Sequence, residues 1–289
     1  LTYHSFWYYW AAFFGLILVR YFAVAGGAYL LFYGLPSRFS GGTGNTGGTG
    51  NTGGLLGRRL RSKPPQLQAI RQDIYLAMQS TLFFATAAAF VIWRYDRGET
   101  CLYADLSAYG YFYAVTSFGL VLILQDSYFY FIHRAFHQPF LFKHFHAGHH
   151  RSGDPTPWTS FAFDPAEACL QAIFLVGITF IIPLNFFVLI ALLLTMTVWT
   201  VVNHLGFELF PASFSRHWLS KWLIGSTHHS LHHRKYRVHY GLYFTVWDKL
   251  LGTDDPAYEL EFDDSLRSEK LPERLPERLP EKLSRQLSD

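Results

Sequence analysis

Charge is scarce in this 289-residue chain: Asp, Glu, Lys and Arg make up 16% of it, where a soluble domain carries about a quarter. A water-soluble domain is therefore excluded as a description of the whole. The net charge of +3 is small and dispersed along the chain, which leaves no basic surface for nucleic acid. Cysteine is limited to Cys101 and Cys169; they are not at metal-ligand spacing, and a disulfide framework is not expected. The glycines of Gly41–Gly54 are followed by no Lys-Ser/Thr and preceded by no strand, so they form no phosphate loop. What the chain has instead is apolar and aromatic: 50% hydrophobic residues, with 28 Phe and 18 Tyr, the composition of membrane interiors and interfaces.

A bilayer-crossing helix needs about 20 apolar residues. Phe6 to Leu35 supplies them, interrupted only by Arg20, and reads as a span. Ile74 to Trp93 and Tyr111 to Ile132 are the next two candidates, and Ala168 to Val202 is long enough for a helical hairpin bent at "IIPLN", Ile181 to Asn185. The expected fold is all-α, a membrane protein of four to five helices with a helical cap on the cytosolic side. Arg38, Arg58, Arg59, Arg61, Lys63 and Arg71 between the first two spans make that loop cytosolic, and span parity then puts every histidine cluster on the same face. Three regions follow: membrane helices with a flexible linker at 41–54 in residues 1–110, a catalytic region over 111–255, and a mobile tail over 256–289. In that tail Leu271 to Lys282 repeats a proline every fourth residue, which blocks a regular helix.

Histidine is what the chain concentrates. "HRAFHQPFLFKHFHAGHH", His133 to His150, holds six in eighteen residues, and "THHSLHH", Thr227 to His233, holds four more. On helices, His133 and His137 share a face, as do His146, His149 and His150, and again His229, His232 and His233. With His204 after the hairpin these make nine convergent imidazoles. A lone histidine is more often a satisfied polar residue than a ligand. Three same-face sets reverse that judgement, because each unsatisfied buried ring nitrogen costs on the order of 1–3 kcal/mol, whereas a metal takes one nitrogen per ring and a neighbouring acceptor the other. A tetrahedral zinc needs only four ligands, so nine imply two ions. Imidazole suits iron, zinc, copper and nickel alike. HExxH is absent, which argues against a zinc protease, and no Glu-x-x-His pair supports a soluble carboxylate di-iron bundle.

HxxxH (His133, His137), HxxHH (His146, His149, His150), "NH" (Asn203, His204), a second HxxHH (His229, His232, His233) and the closing "YGLYFTVWDKLLGT" (Tyr240 to Thr253) together resemble the membrane fatty acid hydroxylase/sterol desaturase superfamily. The resemblance runs from about Tyr111 to Thr253. It implies two iron ions held by the nine histidines, with zinc as an occupant in a purified sample, and O2-dependent hydroxylation or desaturation of a lipid. It also implies electrons from a separate donor such as cytochrome b5 or its reductase, since no HPGG-type heme signature is present, and the endoplasmic reticulum as location in a eukaryote. Some members have a further histidine four residues beyond the position of His204; here Glu208 stands there, which leaves Glu208, a water or nothing as a tenth ligand. His144, His228 and His239 are weighed as neighbours of the ligands. Asp126 falls on one helical stripe with Tyr130, His133 and His137 and is expected to accept a ligand's free N–H or to bond another helix. Asp164, Glu167 and Asp248 are similar candidates.

The substrate favoured by "NHLGFE" and the closing motif is a sterol; acyl, sphingolipid and carotenoid hydroxylation remain alternatives. The rival from another class is a membrane metal transporter or sensor, which would place its histidines near mid-membrane rather than after the spans.

Overall fold

The structure is a computed structural model, and it describes residues 4–34, 58–61, 65–214 and 217–266. The linker at 41–54 and the proline repeats at 271–282 lie outside the described residues. Among the described residues, four helices are long and apolar enough to cross a membrane: α1 (Phe6–Gly34), α2 (Leu67–Tyr95), α3 (Gly110–Phe136) and, after two shorter helices, α6 (Phe186–Asn203). Between them come α4 (Pro139–Phe145) and α5 (Pro165–Ile181), and beyond them α7 (Ser226–Lys235), α8 (Val246–Leu250) and α9 (Tyr258–Ser265). The chain is an integral membrane protein. α1 widens into π-helical turns at Phe22–Gly26 and Leu30–Gly34.

The hairpin turns where the sequence places its proline. Pro183 disfavours helical backbone in the residue before it, and Ile182 is extended at the end of α5. Asn185 then caps α6, accepting from the Phe187 N–H at 2.9 Å, while its amide donates to the carbonyls of Tyr103 and Ala104. The only strands among the described residues, Leu102–Tyr103 and Leu184–Asn185, pair in parallel here and tie the α2–α3 connection to the hairpin bend. α2 packs on α1 and α5, and α3 on α6, around Val91, Val121, Leu184 and Leu192.

At the other end, α3 runs on past Ile132 to Phe136, so His133 sits in its last turn and His137 is its C-cap residue. α6 ends on Asn203 with His204 as C-cap. Residues of the arginine-bearing loop meet this end directly: the Leu60 N–H donates to the Gly206 carbonyl and the Glu208 N–H to that of Arg58, both at 2.9 Å. One boundary moves. The tail expected from residue 256 begins as helix α9, whose Phe262 is fully buried and whose Glu261 pairs with Arg234 of α7 at 2.9 Å. An apolar anchor and an ion pair outweigh the polar composition of that segment.

Candidate metal centre

The nine histidines meet at the ends of α3 and α6 and divide into two groups. His133, His137, His146, His150 and His232 form one; His149, His204, His229 and His233 form the other, the ligand atoms within each lying within 4.8 Å of one another. All are buried except His137, which is half-buried. Each HxxHH box serves both groups. On α7, His229 and His233 face one and His232 the other. The first box is not on one α-helical face as its spacing predicts: α4 stops at Phe145, His146 is its C-cap residue, and His149–Arg151 is a 3-10 turn. That turn sends His149 to the group opposite His146 and His150. The two boxes touch, His150 Nε2 lying 3.1 Å from His232 Nε2.

The surrounding acceptors dictate which nitrogen of each ring carries the proton. The Nδ1–H of His133 donates to the Tyr240 carbonyl at 3.0 Å, that of His149 to Ala162 at 3.0 Å, and that of His204 to Thr200 at 2.8 Å. His232 donates likewise to Val238 at 2.7 Å and His233 to Ser152 at 3.1 Å, and His146 to the Glu167 carboxylate at 2.8 Å. The Nε2 of each of these rings is then a bare lone pair directed inward. Those of His133 and His146 have no partner, nor has the Nε2 of His137, and His204 Nε2 faces His149 Nε2 at 3.4 Å. Lone pairs crowded in a dry pocket repel unless a cation lies between them, so the donor set fits two imidazole-ligated metal ions.

Burial keeps the rings neutral and ready to bind. It lowers the pKa of His149 to about 4 and, with His149 nearby, that of His204 to about 3, against an ordinary value near 6.5. Burial and neighbouring imidazoles hold His150, His229, His232 and His233 well below the usual range. Folded-state values below the unfolded one mean that the unfolded chain takes up protons first as pH falls. Metal-free protein is therefore most stable above about pH 6.5 and loses stability as pH falls below it. Unfolding midpoints of the metal-free protein at pH 7, 6 and 5 check this; equal midpoints would reject it.

The carboxylates brace the centre rather than enter it. Asp126 accepts no imidazole N–H, contrary to the first of its two expected roles. Its Oδ1 takes the backbone amides of Leu242, Tyr243 and Phe244 at 3.1, 2.7 and 3.2 Å, because the closing motif folds over α3 at that point. Asp248 accepts from the Tyr240 and Gly241 amides, which sets the Tyr240 carbonyl against His133. Asp164 accepts from the Gly148 and His149 amides, in a fit so close that a Cβ on Gly148 would lie 2.3 Å from its Oδ1. The backbone carbonyls that orient five of the rings have no signature in sequence and were not foreseen.

Residues 118–253 match the model of the fatty acid hydroxylase family, a stretch that contains all nine histidines. The chain is 31% identical over 170 residues to a Delta(7)-sterol 5(6)-desaturase of Gibberella zeae, covering 56% of this chain and 51% of that one. It is 32% identical over 195 residues to human lathosterol oxidase, covering 66% and 64%, and 36% identical over 178 residues to a Delta(7)-sterol 5(6)-desaturase of Schizosaccharomyces pombe, covering 61% and 51%. The matched stretch of the chain is similar to the membrane fatty acid hydroxylase/sterol desaturase superfamily. It spans about half to two thirds of the length of these relatives. No solved structure matches it.

At the position where some members of this superfamily carry a further histidine, Glu208 faces away from both groups. It accepts from the Thr227 N–H and hydroxyl at 3.1 and 2.6 Å and from the Phe210 N–H at 2.9 Å, placing a carboxylate at the N-terminal, positive end of α7. His144 is exposed on α4 and bonds the Phe140 carbonyl, away from the centre. His228, on α7, and His239 are buried and approach Asp254. His228 accepts the Gly225 N–H on Nδ1 and stacks on Tyr258, so it serves as a cap for α7.

Proposed function

We propose that this chain is an O2-dependent di-iron lipid oxidoreductase that hydroxylates or desaturates an unactivated C–H bond of a membrane lipid, a sterol in the first instance. One observation carries this reading. His133, His149, His204 and His229 line an apolar cavity of about 420 Å³, within the range of small-molecule sites, roughly 300–1,000 Å³. Iron bound there supplies the O2 chemistry. The chain's own residues hold the imidazoles in one tautomer, keep water out, and lay an apolar substrate along α1, α5 and α6 through side chains such as Phe13, Leu16, Leu175 and Leu189. Sterol as the substrate rests on the names of the relatives; acyl, sphingolipid or carotenoid substrates fit the same cavity chemistry.

The nine histidines are the proposed ligands, and the region around them the catalytic domain. The histidine end faces the cytosol, of the endoplasmic reticulum in a eukaryotic cell, because Arg58, Arg59 and Arg61 sit with it. There it receives electrons from a cytochrome b5-type donor. Two measurements test the proposal. Purified protein contains iron, and a host expressing it accumulates an oxidised sterol only when O2 is supplied; unchanged lipids across the sterol and acyl classes would overturn it. Cysteine labelling in sealed vesicles modifies His144→Cys and Gly98→Cys from opposite sides, with His144→Cys on the cytosolic one.

A further inference from the structure

Arg20 stands at the midpoint of α1 (Phe6–Gly34), the most costly depth in a membrane for a cation, and an ionisable residue there marks a functional site by default. Its guanidinium turns inward. One N–H donates to Thr197 Oγ1 at 3.0 Å, and the Phe161 ring lies 5.0 Å away. Its Nε is buried with no partner, and no ion pair among the described residues includes it. Gln171 of α5 repeats the pattern, with a buried Nε2 that has no acceptor. Both side chains line the apolar cavity that reaches the imidazoles. Two donors without acceptors, one of them charged, border one apolar cavity and would be satisfied by an acceptor oxygen that reached them.

Their depth is set by the helices. Thr197, which holds Arg20, lies seven residues before His204 on the same face of α6, and the His204 ring folds back toward Thr200. Gln171 lies one turn beyond Glu167, the partner of His146. Both donors are thus one to two helical turns, roughly 5–10 Å, from the imidazoles. We propose that Arg20, aided by Gln171, holds the oxygen-bearing end of the lipid substrate, so that the substrate is anchored by its polar head while a carbon farther along it meets the metal centre. This rests on the lipid oxidoreductase reading. The shared chemistry is a hydrogen-bond-accepting oxygen, from either a hydroxyl or a carboxylate.

The test is equilibrium binding to the full chain in phosphatidylcholine nanodiscs. The probes are cholesterol against 5α-cholestane, and palmitate against hexadecane, each pair differing by its oxygen function. Wild type prefers the oxygenated member of at least one pair by about tenfold or more, and which pair identifies hydroxyl or carboxylate. Arg20→Leu weakens that member by about ten- to a hundredfold and leaves the hydrocarbon within about twofold, while Arg20→Lys retains part of the preference. Equal weakening of both members would make Arg20 only a rivet between α1 and α6, and no preference in wild type would equally overturn the proposal. If Arg20→Leu does not accumulate, Gln171→Leu and Arg20→Lys carry the same comparison, and an unchanged preference in both rejects it. Binding is read without turnover, so failure to oxidise any lipid would count against the oxidoreductase reading alone.

Discussion

His149→Ala is expected to insert and accumulate at close to wild-type levels, yet to lose lipid oxidation almost completely. The expectation comes from how the imidazoles divide. His149 belongs to the group of four, and its loss leaves three, whereas removing one from the group of five leaves four, still a full tetrahedral set. His149→Ala therefore lets its metal content fall from about two toward about one per chain on dialysis, while His137→Ala, at the half-buried edge of the larger group, keeps both and retains measurable activity. One core of the membrane helices, around Val91, Val121, Leu184 and Leu192, lies at the other end of the bundle and is untouched by the substitution, which is why insertion survives. Abundance, metal content and product, measured on the same preparations, check the result. If the histidines were chiefly structural, the dominant effect would be degradation. Normal activity in His149→Ala would reject it as a ligand.

The second large effect is Asp126→Ala. One carboxylate oxygen accepts the amides of Leu242, Tyr243 and Phe244, and removing it leaves two buried N–H groups and one partly buried one without that acceptor. At about 1–3 kcal/mol each, a loss of roughly 3 kcal/mol or more follows, a large share of the stability of an ordinary domain. The damage spreads to the metal centre, because the same loop supplies the Tyr240 carbonyl that orients His133. Asp126→Asn keeps an acceptor oxygen and costs far less. Thermal unfolding in detergent, with metal retention followed alongside, separates the variants. Equal behaviour of Asp126→Ala and wild type would show that the closing loop is held by other contacts.

The sequence by itself determined the class of fold and which nine histidines converge at one end of the bundle. Hydrophobic runs longer than a bilayer allow only helices, since every backbone group must be paired within the span, and a proline at the hairpin bend leaves one place for the turn. Histidines at helical spacing beyond the spans announce themselves in the same way, because ligand chemistry resides in residue identity. How those nine divide into five and four was not legible. The first box divides across the end of α4 and the 3-10 turn at His149–Arg151, and the second divides on the unbroken helix α7, so the partition follows from how the two segments face each other and not from spacing. The same holds for the groups that orient the rings. Backbone carbonyls of Tyr240, Ala162, Val238 and Ser152 act through position alone, and every residue has a carbonyl, so no sequence pattern marks the few that matter. The roles of Asp126 and Glu208 were likewise decided in three dimensions. A buried carboxylate takes whatever donors the fold brings within reach, and here those were the amides of the closing loop and of the start of α7 rather than an imidazole or a metal.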